Sequence, residues 1–142
     1  MSDHENASGQ FGLTSDEIVE AQRLFRALQV FRDAYPDMTV AQASALLLAA
    51  SSREPLSMSG IRAALNVAAS TATRAVLTLS KVTREGVRRR GGEDFGLVAQ
   101  SVDPKDRRWR FTHCTPFGLE TVRTALSRSV GDAVAGERTT AQ

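Results

Sequence analysis

The chain's one cysteine, Cys114, stands beside one of its two histidines, His113, and this pair is the nearest thing in the sequence to a metal or redox centre. A zinc site needs three or four such ligands at set spacing. The other histidine, His4, lies far away in a polar stretch and cannot complete one. A redox sensor needs an exposed thiol of depressed pKa, whereas a cysteine at the end of a strand that leads into a helix occupies a position of burial. No nucleophile, base and orienting group fall into a set, no glycine loop has phosphate-binding form, and no carboxylates pair in an apolar setting. Catalysis is not expected, and neither is a metal or another cofactor.

The remaining chemistry is cationic. Residues 1–52 hold seven acids and three bases, residues 53–110 six acids and twelve bases, and residues 111–142 three of each, so the formal charge of +2 conceals a strongly basic middle. Attraction to phosphate requires such a concentration, although a solvated arginine-rich face has the same composition. Three clusters carry the charge. In the first, Arg74 follows Ser70, Thr71 and Thr73. An arginine there can grip guanine O6 and N7 with both arms, or a phosphate, and hydroxyls at the start of a helix can donate to phosphates. The second is the run Arg88, Arg89 and Arg90, which either tracks a sugar–phosphate backbone or is a solvated loop. The third is Lys105, Asp106, Arg107 and Arg108, in a turn narrow enough to enter a minor groove, where arginine is favoured. Arg53 and Arg62 are peripheral phosphate contacts or plain surface.

The elements that must position these clusters can be read from spacing. At 142 residues one compact domain is expected, with a core that needs no disulfide. A single cysteine fits a reducing cytoplasm. The polar, acidic start does not look like a secretory signal, and no apolar run approaches a membrane span. Residues 1–13 read as a flexible tail. Thr14 and Glu17 form a capping-box pattern, and Ile18, Leu24, Phe25, Leu28 and Phe31 then recur at helical spacing, giving a helix within 14–35 that Pro36 and Asp37 end. A second helix, 40–51, should turn Val40, Ala43, Leu46, Leu47 and Ala50 inward. Ser57 can cap a short helix, 57–65, anchored by Ile61 and Leu65. After a turn at Asn66 and Val67, a further helix begins near 68–70 with Ala72, Ala75, Val76 and Leu79 inside. Two helices joined this way make a helix-turn-helix.

Residues 84–96, rich in glycine and arginine, read as an irregular insert. A strand over 97–102, a turn at 103–106 and a returning strand over 108–114 follow, with Trp109 and Phe111 expected to pack the hairpin onto the helices. Pro116 suits the first turn of a last helix, 116–130, and residues 131–142 read as a second tail. The fold class is therefore mainly α with a small β-hairpin: a winged helix-turn-helix over 14–130, with N- and C-terminal helices at 14–35 and 116–130.

The segment from Leu65 to Val76 resembles the recognition region of MarR-type bacterial regulators. Leu97-Val98, then Asp103-Pro104-Lys105-Asp106-Arg107-Arg108, then Thr115-Pro116-Phe117-Gly118, resemble that family's wing and its entry into the final helix. The similarity spans roughly 40–126, and the segment from Lys81 to Gly96 is longer than the family's usual link. The resemblance implies a transcriptional regulator, most often a repressor, that binds double-stranded DNA as a homodimer on a palindromic site. It implies that Arg108 enters the minor groove, held by Asp106, while Lys105 and Arg107 meet phosphates. It also implies dimerisation through the first and last helices, for which Phe25, Leu28, Phe31, Leu119, Val122 and Leu126 are the candidates. Many relatives take a small-molecule effector, and nothing in this sequence identifies one. Two other readings remain open: a phage- or plasmid-type protein of replication or DNA architecture, and a winged helix used for protein–protein contact.

Overall fold

The computed structural model describes residues 12–88 and 96–141, with side chains as far as Val130. The expected N-terminal tail up to residue 11 lies outside the described residues. Among them are five α-helices and five short strands: α1 (Ser15–Ala34), α2 (Val40–Ser51), β1 (Leu56–Ser57), α3 (Met58–Leu65), α4 (Ala69–Leu79), β2 (Val82–Thr83), β3 (Gly86–Val87), β4 (Val98–Val102), β5 (Arg110–Cys114) and α5 (Pro116–Ala141). They fall into two compact units, one of residues 1–30 and 124–142, the other of residues 31–123.

The helix starts follow from side-chain oxygens. Thr14 and Glu17 make the expected capping box, with the Thr14 N–H on Glu17 Oε1 at 2.9 Å and the Glu17 N–H on Thr14 Oγ1 at 3.3 Å. Thr39 and Gln42 make a second box at the head of α2. Ser57 caps α3 by accepting from the Gly60 N–H. Thr115 caps α5, its Oγ1 accepting from the Gly118 N–H while donating to the Gly96 carbonyl. Asn66 closes α3 in the left-handed region at φ 54°, which asparagine tolerates better than most residues, and so makes the tight turn into α4.

In the unit of residues 31–123, α2, α3 and α4 pack over Leu46, Ile61, Ala72, Ala75, Val76 and Leu79. The inner face of α4 is the expected one. That of α2 is not: Val40 and Leu47 are exposed, and Ala45 and Ala49 join Ala43 and Leu46 inside. This helix is apolar almost all round, so its spacing fits more than one stripe, and packing against α4 selects among them.

The wing is a three-stranded antiparallel sheet in the order β1-β5-β4. Leu56 pairs with Thr112 and Val98 with Cys114, down to Val102 with Arg110. Strand β1 was not expected, since two residues carry no period. The returning strand starts at Arg110 rather than 108. Trp109 does not pack inward: it is 52% exposed at the end of the hairpin, just before β5, while Phe111, one residue into β5, is half covered.

The insert is not irregular throughout. Val82 and Thr83 pair with Val87 and Gly86 in a tight hairpin, and Val82 and Thr83 are buried. Arg84 at its turn ion-pairs with Glu120 and lies 4.8 Å over the Phe117 ring, which fastens the hairpin to the first turn of α5. The ends of the insert meet. The Leu97 N–H donates to the Leu79 carbonyl at 2.9 Å, and a Cβ on Gly96 would run into the carbonyls of Leu79 and Ser80. The chain thus leaves the end of α4 and returns to the same place before β4 begins.

Helix α5 continues to Ala141 instead of ending near Val130. Residues 131–142, small and polar, read as a tail, but each of the two glycines there, Gly131 and Gly136, costs a helix only about 1 kcal/mol relative to alanine. Ala133, Val134, Ala135 and Ala141 are compatible with continuing it. None of the described helices is long and apolar enough to cross a membrane.

Candidate nucleic-acid interface

Helix α4 turns Ala72, Ala75, Val76 and Leu79 into the core and leaves Ser70, Thr71, Thr73 and Arg74 exposed. Three of these four inward positions, Ala72, Ala75 and Val76, are small or β-branched, which brings the helix close to its neighbours while its other side stays open. Its N-cap is Ala68, with no side-chain oxygen to offer the first turn. Ser70 is therefore not a cap. The N–H groups of the first turn of α4 have no hydroxyl to meet them, unlike those of the other four helices, and a phosphate oxygen is a chemically suitable acceptor.

At the wing tip, Asp103 and Asp106 each fold the backbone back on itself. Asp103 Oδ1 accepts from the Lys105 N–H at 2.9 Å, and Asp106 Oδ1 accepts from the Arg108 N–H at 3.1 Å. The ladder continues to the Asp103 N–H on the Trp109 carbonyl at 2.9 Å, with the Trp109 N–H on the Asp106 carbonyl at 3.0 Å. Pro104, whose ring fixes φ, suits the corner.

The carboxylate of Asp106 also holds the Arg108 side chain. Arg108 Nε donates to Oδ1 at 3.0 Å and a terminal nitrogen to Oδ2 at 2.9 Å, a two-armed fork. Arg108 is nonetheless 89% exposed and Asp106 only 32%. The guanidinium and then the backbone N–H of Arg108 hold the Asp106 carboxyl below its usual range, and the Trp109 side chain adds a weaker pull the same way. The fork pushes the Arg108 pKa further up. The arrangement is a fixed cation at the end of a projecting hairpin. Lys105 and Arg107 flank it, both exposed.

Of the run at 88–90, Arg88 is exposed beyond β3, with its N–H on the Lys81 carbonyl at 2.8 Å; Arg89 and Arg90 lie outside the described residues. Arg53 and Arg62 are exposed. Among the expected dimer residues, Phe25, Leu28 and Leu126 are exposed, whereas Phe31 and Val122 are buried in the single chain and Leu119 is half-buried. Phe31 and Val122 thus serve this chain's own core, and a second copy has nothing more of them to cover. Helical spacing could not separate the two uses, because both demand apolar residues on one stripe.

His113 and Cys114 line a cleft of about 470 Å³ with Ala49, Ala50, Pro55 and Leu119. Burial pushes the Cys114 thiol up to about 11, the reverse of what a reactive thiolate needs. No group of three histidines, cysteines or carboxylates that could hold a metal occurs among the described residues.

No protein-family model and no curated protein sequence matches the chain. Solved structures do. The S. aureus MepR–DNA complex superposes with a TM-score of 0.61 at 18% identity, over 88% of this chain and 89% of that one. RV1404 from Mycobacterium tuberculosis gives 0.60 at 18% identity, over 88% and 77%. The transcriptional regulator Tm0710 from Thermotoga maritima gives 0.59 at 20% identity, over 99% and 89%. At such identities the likeness establishes the fold, and that fold is a MarR-like winged helix.

Proposed function

We propose that this protein is a MarR-type transcriptional regulator that binds double-stranded DNA sequence-specifically as a homodimer, and that it acts by repression in a bacterial or phage-infected cytoplasm rather than as an enzyme. The observation that carries the reading is the forked Asp106–Arg108 pair at an exposed wing tip. A surface ion pair of this kind contributes little to stability. Its use is to hold an arginine in one orientation before a negatively charged groove arrives, so that less freedom is lost on binding. The open face of α4 supplies the second half of the reading: Arg74 for a base edge or phosphate, and Ser70, Thr71 and Thr73 for the backbone around it. Lys105, Arg107 and Arg88 extend the phosphate contacts. That one structural neighbour was solved on DNA supports the same use of the fold.

In this reading two copies place their α4 helices about one turn of DNA apart, on a palindrome. The family resemblance adds a small-molecule effector. The test is a footprint on genomic fragments with a salt series, repeated with Arg74→Ala and Arg108→Ala. Arg74→Ala should relax sequence preference, and Arg108→Ala should weaken binding and lower the salt slope by about two, about one for each copy. Absence of salt-dependent binding would turn the assignment toward a protein-binding winged helix, and DNA binding that neither substitution alters would overturn the assignment of these residues.

A further inference from the structure

Trp109 is the chain's only tryptophan, and the wing tip leaves it out. An indole is costly to leave in water, and a hairpin resting on a helical body ordinarily tucks its aromatic residues underneath, as Phe111 is partly tucked here. The backbone of Trp109 is fixed on both sides, by its N–H on the Asp106 carbonyl and its carbonyl accepting from the Asp103 N–H, and its side chain is drawn to the Asp106 carboxylate, so the ring projects from a defined point with much of its surface open.

The other side of the tip is partly open as well. In the β4–β5 register Val102 faces Arg110, continuing the row of Gln100 and Thr112 that meets Met58, and Val102 is 45% exposed. The adjacent row runs from Ser101 and Phe111 out to Asp103 and Trp109. Each face stays about half open at the end of the hairpin. It is a thin blade with apolar side chains on both flanks and exposed cations at Arg107, Arg108 and Arg110.

A blade so charged selects a polyanion, and its apolar flanks require that polyanion to offer apolar surface within reach of the phosphates. The walls of a DNA minor groove do this: deoxyribose faces line it, and the negative potential is concentrated between them. A folded acidic protein surface would match the arginines, but it seldom presents a slot narrow enough to cover both flanks at once.

We propose that Trp109 is a second DNA-contacting side chain of the wing, its indole laid against the sugar wall of the minor groove that Arg108 enters. Trp109 contributes affinity without reading bases, because every deoxyribose presents the same face, and it anchors the depth to which the arginine is inserted. This rests on the DNA-binding reading above, and the two can fail separately.

A single tryptophan makes the test direct. Binding of a labelled random-sequence duplex of about three helical turns is followed at low salt by anisotropy, while Trp109 emission and its quenching by acrylamide are read in the same titration. The expected result is saturable binding with Trp109 emission changed and its quenching reduced in step. Trp109→Ala should weaken binding about tenfold and Trp109→Phe less, with the salt slope unchanged because no charge is removed. Both variants should keep the far-ultraviolet dichroism of the parent, since the ring is not part of the core. Duplex binding with quenching unaltered and Trp109→Ala at parental affinity would overturn the role of Trp109 and leave the DNA reading standing. Failure of any duplex to bind would overturn both. Quenching that falls with protein concentration in the absence of DNA would mean that a second copy covers the ring, and would also overturn the proposal.

Discussion

Asp106 and Arg108 form a pair whose two members should fail differently. Arg108→Ala removes a cation from the groove, so affinity and salt slope both fall. Asp106→Ala keeps the cation but removes its brace, together with the carboxylate's bond to the Arg108 N–H and its hold on the Trp109 side chain, so affinity should fall by at least about threefold to tenfold, the cost of immobilising one long side chain, with no decrease in the slope. Equal slopes for the parent and Arg108→Ala, measured by anisotropy across a salt series, would contradict this. The pH dependence has a definite sign. The Asp106 carboxyl is held below its usual range, so what the fork contributes is present above the unfolded carboxylate value and is lost only as pH falls through the depressed folded one. Between about pH 5 and pH 8 the fork should therefore stay closed, and DNA affinity should show no titration assignable to Asp106. Cys114 has the opposite sign. Its thiol is pushed up to about 11 by burial, so the folded state retains a proton that the unfolded chain would release. Whatever stability this gives is lost as pH rises toward that value. Alkylation of native protein by iodoacetamide at neutral pH should be much slower than that of denatured protein, and a fast-reacting native thiol would reopen the question of redox sensing.

At the scale of elements, two glycines hold the wing to the body by what they lack. A Cβ on Gly96 would meet the carbonyls of Leu79 and Ser80, and a Cβ on Gly118 would meet the Leu97 carbonyl and the Cys114 sulfur. Gly118 lies in the first turn of α5, where alanine would ordinarily stabilise the helix by about 0.5 to 1 kcal/mol. Here Gly118→Ala should instead destabilise by about 1 to 3 kcal/mol, as overpacked sites do, and Gly96→Ala likewise. A raised melting temperature for either would show that the root of the wing is looser than this. These contacts also explain how a long insert leaves the wing in place: the chain returns from residues 81–95 to the carbonyl it left, so the excursion sets neither the start nor the direction of β4. The sequence announced the insert but not its closure, because the closing bond joins Leu79 to Leu97 and no local pattern carries it. What was legible was local: the Thr14–Glu17 box, the bounds of α2, the Asn66 turn, the inner stripe of α4 and the Asp103–Arg108 turn each depend on residues within a few positions. What was not legible depends on distant partners, as with the pairing of Leu56 and Ser57 to β5, the burial of Val82, the choice of stripe on α2 and the exposure of Trp109.

On the scale of the whole molecule, the question is what covers the apolar side chains that one copy leaves outside. Single exposed leucines are ordinary. In the unit of residues 1–30 and 124–142 they are gathered: Leu24, Phe25 and Leu28 on α1 are 67%, 62% and 54% exposed, and Leu126 on α5 is 60% exposed. The two helices are tied within that unit by Arg26, which donates to the carbonyls of Arg128 and Ser129 at 3.1 and 3.4 Å. They therefore present these side chains from a joined support, as an interface between copies needs and a solvated surface does not. Leu28→Glu with Leu126→Glu should sediment as a monomer where the parent sediments as a dimer. The double variant should keep its helical dichroism, because neither side chain belongs to the single-chain core. Its affinity for a palindromic site should drop toward that for one half-site, and its salt slope should fall by about half as the second set of phosphate contacts is lost. A parent that is monomeric at micromolar concentration would remove the dimer. A double variant that stays dimeric would move the interface elsewhere. An unchanged slope in a true monomer would mean that one copy makes all the phosphate contacts, and that the palindrome is not part of how this protein finds DNA.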